Sequence, residues 1–183
     1  MIKVVVCAAD GSEEVETLTV VDLLRRAGIE VDLISAQNRG KFKSSHQIEI
    51  ITDKNIRDVD FKEYDGVVIP GGLKGVENLG NNVPVINALQ DANEAGKVVA
   101  AICAGPTVLG KAGILHGVKS TVYPGMDKEL NGATYMDEPV VTDGNIITGR
   151  SMAASIEFAL AIITKLIDAE TAAKVADAIV CER

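Results

Sequence analysis

The chain has 183 residues, of which 47% are hydrophobic and 24% charged, and its formal net charge at pH 7 is -8. This length suits one domain with its own core, so residues 1–183 are expected to form a single domain. The negative charge argues against nucleic acid or an anionic membrane surface as a partner. Because no apolar run could span a membrane and no signal-peptide pattern precedes Ile2, we expect a cytoplasmic protein.

Strand and helix patterns alternate through the first half of the chain. A run over 2–8 that is apolar apart from Lys3 predicts a buried strand. Ser12 is the predicted cap of a helix that ends before Gly28. The patterns that follow predict a strand over 30–35, a hairpin within 41–52, a strand over 65–70 that ends at Gly71 and Gly72, and a helix over 83–95.

The second half continues the alternation. The patterns predict strands over 98–102, 118–122, 140–141 and 145–148, and helices over 107–112, 151–167 and 169–180, with Ser151 as an N-cap. This order favours an α/β fold with a mostly parallel sheet and helices on both faces. Ligands of such folds bind at the carboxyl ends of the strands. Residues that follow the predicted strands, such as Asp10, Gly72, Cys103 and Arg150, could therefore line one edge of the sheet.

Cys103 is the leading candidate for a functional residue. It follows the buried strand Val98–Ile102 directly, and Ala104, Gly105 and Pro106 then turn the chain into a helix. A thiol beside a helix N-terminus is expected to have a lowered pKa and to be nucleophilic and oxidisable. The other cysteines, Cys7 and Cys181, are interpreted as small buried hydrophobic residues, and the odd count favours free thiols.

Two further features could serve such a thiol. Glu16 lies on a different helix face from Glu13 and Glu14, which are interpreted as favouring the helix dipole. A carboxyl group near a thiolate is expected to have a raised pKa, to stay protonated and to donate a hydrogen bond to sulfur. The Gly71-Gly72 pair offers unblocked backbone N–H groups that suit an oxyanion hole or merely a tight turn.

Other motifs are rejected. Residues 105–112 nearly match a nucleotide-binding P-loop, but they lack the Ser or Thr that binds Mg²⁺, and Pro106 removes one N–H group. The segment around Ser151 lacks the second glycine of a serine nucleophile elbow. His46 and His116 are interpreted as surface residues, so a Cys-His-Asp triad is poorly supplied. No Cys, His or carboxylate cluster has metal-ligand spacing, and no metal is predicted.

Several segments together resemble the ThiJ/PfpI superfamily, in particular the branch that contains the parkinsonism-associated protein deglycase and its bacterial homologues. The similarity extends nearly end to end, and the Ala-Ile-Cys-Ala-Gly-Pro block is its most specific part. The segments that carry it are 11–17, 25–29, 70–72, 100–106 and 157–162.

This resemblance implies a flavodoxin-like three-layer sandwich and a homodimer. It implies Cys103 as the reactive thiol in a strained elbow, Glu16 as its protonated partner, and the N–H groups of Gly72 and Ala104 as donors to a developing oxyanion. Related proteins are associated with cofactor-free glyoxalase activity, repair of glycated molecules, oxidative-stress sensing and chaperone activity. The resemblance therefore implies no cofactor.

Two departures from the superfamily bear on mechanism. Many relatives have a His before the residue that is Pro124 here, whereas this chain has Tyr123. A phenol cannot shuttle protons at neutral pH as an imidazole can, so catalysis would be slower or would depend wholly on Glu16. Ala104 replaces the His that follows the cysteine in the peptidase branch, which argues against a peptidase.

Two functions remain open from the sequence. The first is a cysteine enzyme that acts on small α-oxoaldehydes and early glycation products, with Tyr123, Pro124, Arg150 and Ser151 as possible lining of its site. The alternative is a redox sensor or stress chaperone without turnover, in which Cys103 is oxidised to a sulfinate.

Overall fold

The predicted buried strands form the centre of one seven-stranded sheet in the computed structural model, which describes residues 1–181. In the first half the elements are β1 (Lys3–Ala8), α1 (Glu14–Arg26), β2 (Glu30–Ser35), β3 (Lys41–Lys43), β4 (Glu49–Ile51), β5 (Lys54–Asn55), β6 (Gly66–Ile69), α2 (Leu73–Gly80) and α3 (Val83–Glu94). In the second half they are β7 (Val98–Ile102), α4 (Pro106–Lys111), β8 (Lys119–Ser120), β9 (Thr134–Tyr135), β10 (Val140–Asp143), β11 (Ile146–Gly149), α5 (Ser155–Leu166) and α6 (Ala169–Ala178).

The strand order of the sheet is β10-β11-β7-β6-β1-β2-β5. Every pairing is parallel except that of β10 with β11, which form an antiparallel hairpin at one edge. The chain order therefore reverses between β1 and β6, which is the switch point of a flavodoxin-like sheet. The predicted α/β class and the mostly parallel sheet are confirmed.

Helices cover both faces of the sheet because successive strand residues point to opposite faces. Val5, Cys7, Val67 and Ile69 pack in one hydrophobic cluster with the buried residues of α2, α3 and α4. The intervening residues of the same strands pack in a second cluster with the buried residues of α1, α5 and α6. Burial on both faces explains why these strands are continuous apolar runs in the sequence.

Several helix boundaries differ from the sequence-based predictions. The N-cap of α1 is Glu13, whose side chain accepts the Glu16 N–H, while the Ser12 hydroxyl accepts the Ala9 N–H instead. A short 3₁₀ helix, Met152–Ala154, precedes α5, so Ser151 is not the N-cap of that helix. The sequence pattern also missed α2, because its eight residues include two glycines and few apolar positions.

Of the remaining thiols, Cys7 is fully buried, as predicted, whereas Cys181 is only partly buried because it follows the last helix. Burial raises the pKa of the Cys7 thiol to about 12, which keeps it protonated. Within residues 1–181, no helix is both long enough and apolar enough to cross a membrane.

The layered core predicts a sharp contrast within one helix. Leu89 of α3 is fully buried, whereas Val83 at the start of the same helix is mostly exposed. We expect Leu89→Ala to lower the free energy of unfolding by about 2–5 kcal/mol, since it leaves a cavity. Val83→Ala should change the free energy by less than about 0.5 kcal/mol. Equal losses in urea denaturation would contradict this account of the core.

Candidate active site

Cys103 occupies a strained turn between β7 and α4. Its φ angle is +62°, a left-handed conformation that non-glycine residues seldom adopt and that costs about 1–3 kcal/mol. Two hydrogen bonds hold the backbone there: the Cys103 N–H donates to the Gly149 carbonyl at 2.8 Å, and the Tyr123 N–H donates to the Cys103 carbonyl at 2.9 Å. We call residues 102–106 the cysteine elbow.

The turn also depends on Gly105. A Cβ atom on Gly105 would lie 2.7 Å from the Ile69 carbonyl oxygen and 2.8 Å from that of Ile102, so only glycine fits. Pro106 then begins α4, where its missing N–H leaves no helical hydrogen bond unmade. The elbow therefore presents the Cys103 side chain at the carboxyl end of β7, as the sequence predicts.

Glu16 reaches this thiol from the other side of the sheet's switch point. The side chain of Glu16 is 1% exposed. Its Oε2 accepts the Gly71 N–H at 2.8 Å, whereas its buried Oε1 has no hydrogen-bond partner of ordinary geometry within residues 1–181. The carboxyl group also lies close to Cys103, since a Cβ atom on Gly71 would be 2.5 Å from Glu16 Oε2 and 2.7 Å from Cys103 Cβ. The structure thus brings together the two residues that the sequence singled out.

Burial raises the pKa of the Glu16 carboxyl to about 7. Interactions with the Cys103 thiol and the Gly71 N–H lower this pKa by less, and the negative charge of Glu13 adds to the increase. Glu16 therefore keeps its proton in conditions where an ordinary glutamate is ionised, as predicted.

The expectation of a lowered pKa for Cys103 is wrong. Burial and the neighbouring Glu16 carboxylate raise the pKa of the thiol to about 12, and the Ala104 N–H offsets only part of this increase. The helix N-terminus alone suggested a stable thiolate, but the sequence did not reveal that the thiol is partly buried beside an acid. The first proton leaves the Glu16–Cys103 pair near pH 7, and the pair resists a second ionisation.

The two glycines after β6 have different roles. The Gly71 N–H is already used by Glu16, so it is not free to serve as an oxyanion donor. Gly72 has a φ angle of +89°, and its N–H donates to no backbone oxygen of residues 1–181. The N–H groups of Gly72 and Ala104 therefore remain the candidate oxyanion donors.

The remaining predicted lining residues lie together on one side of the elbow. A cavity of about 520 Å³ is lined by Tyr123, Pro124, Arg150 and Ser151, together with Pro139, Ala153, Ala154 and Glu157. Two backbone hydrogen bonds connect this side of the cavity to Cys103. The Tyr123 N–H donates to the Cys103 carbonyl, and the Cys103 N–H donates to the carbonyl of Gly149, the residue before Arg150. The Arg150 guanidinium forms an ion pair with Asp137 at 2.9 Å.

Asp10, which the sequence also predicted at this edge of the sheet, has a structural role. Its carboxylate accepts the Lys43 N–H and forms an ion pair with Arg39.

Both histidines are exposed, as predicted. His46 contacts Glu14, with 2.8 Å between Nδ1 and Oε1, and the Ser45 hydroxyl donates to the other Glu14 oxygen at 3.0 Å. The ligand atoms of Glu13, Glu14 and His46 lie within 4.8 Å of one another, a convergence that sequence spacing did not reveal. The contacts of Glu14 account for this cluster as hydrogen bonds that fasten the β3–β4 hairpin to α1. The absence of a metal stays a prediction.

Sequence reasoning missed the part played by Glu13. Its Oε2 accepts the Glu16 N–H at 2.8 Å, which fixes the first turn of α1, and its charge raises the pKa of both Glu16 and Cys103. The available signal was its position three residues before Glu16, which is the spacing of an N-cap residue and the N–H that it accepts.

Comparisons with known proteins identify the family of this chain. A sequence profile of the DJ-1/PfpI family matches residues 2–165. The chain belongs to the DJ-1/PfpI family. It is 40% identical over 177 residues to the Parkinson disease protein 7 homolog of Danio rerio, covering 94% of each chain, and 39% identical over 173 residues to Protein dj-1beta of Drosophila melanogaster, covering 93% of this chain and 92% of that protein.

Solved structures of the family superpose over the whole chain. The crystal structure of Drosophila melanogaster DJ-1beta gives a TM-score of 0.96 at 37% identity and covers 100% of this chain and 99% of that one. A DJ-1 superfamily protein from Salmonella typhimurium gives a TM-score of 0.95 at 32% identity and covers 100% of both chains. The flavodoxin-like fold and the family resemblance inferred from the sequence are confirmed.

The raised pKa of Glu16 predicts a pH-dependent stability. A carboxyl group whose folded pKa exceeds its ordinary value of 4.5 stabilises the fold fully below that value, and this contribution is lost as the pH rises through about 7. The loss amounts to about 3 kcal/mol. Glu16→Gln, which is neutral throughout, should remove this part of the decline in urea denaturation. The exposed control Glu138→Gln should keep it, and identical pH profiles for wild type and Glu16→Gln would contradict the assignment.

Proposed function

We propose that this chain is a cofactor-independent cysteine enzyme that acts on α-oxoaldehydes, of the glyoxalase type, and on early glycation products of the same chemistry. The observation that carries the proposal is the placement of the buried Glu16 carboxyl group beside Cys103, since a Cβ atom on Gly71 would lie 2.5 Å from Glu16 Oε2 and 2.7 Å from Cys103 Cβ. Membership of the DJ-1/PfpI family supports a function like that of DJ-1.

In the first step the Cys103 sulfur bonds to the aldehyde carbon of methylglyoxal. Because the thiol holds its proton, ionised Glu16 acts as the general base that removes it, and the carbonyl oxygen then receives that proton. The N–H groups of Gly72 and Ala104 face the developing oxyanion. The product is a hemithioacetal, and no separate thiolate need accumulate.

In the second step Glu16 moves a proton between the two carbons. It removes the hydrogen of the former aldehyde carbon and returns a proton to the neighbouring carbonyl carbon, while the hydroxyl proton of the hemithioacetal passes to the neighbouring oxygen. The product is a thioester of lactate. The first carbon is oxidised and the second is reduced, so no external oxidant is needed. Water then cleaves the carbon–sulfur bond, which releases lactate and restores the thiol.

Wild type incubated with methylglyoxal should therefore consume it and form lactate, with kcat/KM rising as the pH increases through about 7, because Glu16 must be ionised to act as the base. Cys103→Ser should reduce turnover to background. Glu16→Gln should lower it by on the order of 10²–10⁴-fold. Cys181→Ser, which lies outside the site, is the control and should retain activity. Lactate formation by Cys103→Ser would rule out the mechanism.

A second candidate is oxidative sensing by Cys103. A solved structure of oxidized Toxoplasma gondii DJ-1 favours it, since that protein is 34% identical to this chain and superposes with a TM-score of 0.95. Each peroxide molecule would transfer one oxygen atom to sulfur and leave as water. The raised pKa of the thiol weighs against rapid oxidation, since the thiolate is the reactive form. Mass spectrometry after mild peroxide treatment would exclude this function if Cys7 or Cys181 gained oxygen first.

We also propose that the chain forms a homodimer through the α1–hairpin face, defined by Val15, Leu18, Ile48 and Ile51. These apolar side chains are 45%, 43%, 52% and 81% exposed. They lie on two elements that are joined by the Ser45 contacts with Ser12 and Glu14. Exposed apolar side chains clustered on adjoining elements are typical of interaction sites, and a second copy can cover them by two-fold symmetry.

Leu18→Glu should convert the dimer to a monomer, because symmetry places two new charges in the interface. Sedimentation velocity would measure the change, and Val83→Glu, which adds a charge at an exposed site on α3, should leave the dimer intact. A monomeric wild type, or a dimer that survives Leu18→Glu, would contradict the proposed face.

A further inference from the structure

Gly71 lies where three parts of the site meet. A Cβ atom built on its backbone would be 2.5 Å from Glu16 Oε2, 2.7 Å from Cys103 Cβ and 3.1 Å from the Ala104 nitrogen. The first two separations are well inside van der Waals contact. Any side chain at position 71 therefore forces either the carboxyl group or the cysteine elbow to move.

The carboxyl group is the part that can move. The elbow is held by hydrogen bonds from the Cys103 N–H to Gly149 and from the Tyr123 N–H to Cys103, at 2.8 and 2.9 Å. Gly105 has no room for displacement either, since the Ile69 and Ile102 carbonyls enclose it. The Glu16 side chain, by contrast, is retained at its tip by one N–H group, that of Gly71 itself.

The Gly71 N–H also distinguishes the two carboxyl oxygens of Glu16. It donates to Oε2, and a donated hydrogen bond stabilises negative charge on the oxygen that accepts it. The proton of the neutral carboxyl group is therefore carried by Oε1, the buried oxygen without a partner of ordinary geometry.

We propose that Gly71 is a positioning residue whose missing side chain sets the approach of Glu16 to Cys103, so that the two groups share one proton. The inference extends the proposed function, in which Glu16 moves protons for Cys103. It also replaces the sequence-based interpretation of Gly71 as an oxyanion donor. The alternatives, that Gly71 merely completes a tight turn or donates to substrate, do not require Glu16 to respond to its replacement.

The test is the pH dependence of Cys103 alkylation by iodoacetamide, followed by mass spectrometry of the Cys103 peptide in the full chain. In wild type the rate should rise and level off near the pKa of Glu16, about 7. We call this rise in the alkylation rate near pH 7 the step. In Gly71→Ala, as in Glu16→Gln, the rate should no longer rise near pH 7. Its rise should move by at least one pH unit, which is about a tenfold change in rate at fixed pH. Gly66→Ala is the matched control in β6, because its Cβ would come no closer than 3.4 Å to any atom.

Two further variants separate positioning from general damage. In a Glu16→Gln background, Gly71→Ala should cause no further change in the alkylation profile, because the two residues act through one contact. Gly71→Ala combined with Glu16→Asp withdraws the carboxyl group by one methylene and should restore folding and the step if the single variant unfolds. Three results would overturn the proposal. They are an unchanged step in Gly71→Ala, a further change when Gly71→Ala is added to Glu16→Gln, and an unfolded Gly71→Ala/Glu16→Asp variant.

Alkylation does not require turnover, so its outcome is separate from that of the proposed function. Lactate formation by Cys103→Ser would end the enzymatic proposal while leaving the alkylation profile interpretable. Conversely, wild type could form lactate while Gly71→Ala retains the step in its alkylation profile. That result would support the enzymatic proposal and contradict the positioning role of Gly71.

Discussion

The site depends on one constraint, which is the close approach of two loops at the switch point of the sheet. A Cβ atom on Gly72 would lie 2.2 Å from the Gly11 carbonyl oxygen, and one on Gly75 would lie 2.6 Å from the Ser12 Cα. The Glu13 N–H also donates to the Gly71 carbonyl at 3.0 Å. This packing joins the start of α1 to the end of β6, so the distance from Glu16 to the neighbouring strand is fixed by backbone rather than by flexible side chains.

The same approach explains the electrostatics of the reactive pair. Close packing removes water from Glu16 and from Cys103, and burial is the largest cause of the raised pKa of each group. A buried acid and a partly buried thiol side by side cannot both be ionised cheaply. One proton is therefore retained by the pair at neutral pH, and the chemistry proposed for Cys103 follows from where that proton moves, rather than from a preformed thiolate.

The sequence predicted the layered fold because strands buried on both faces, such as β1 and β7, leave an unmistakable apolar run. It also predicted Cys103, since a cysteine between a buried strand and Ala-Gly-Pro has a recognisable local pattern. It could not predict the pKa of that thiol or the cluster at His46, because both depend on residues brought together from distant segments. Glu13 and α2 were missed for a different reason: the local pattern of each also fits an ordinary solvent-exposed segment.

The most direct test of proton sharing is infrared difference spectroscopy of the Glu16 carboxylic C=O stretch during a pH titration, with Glu16→Gln to assign the band. The protonated carboxyl band should disappear near pH 7 while the S–H stretch of Cys103 weakens only in part, since the pair then shares one proton. Ionisation of Glu16 at the pH of an ordinary glutamate, with Cys103 losing its proton independently, would contradict proton sharing.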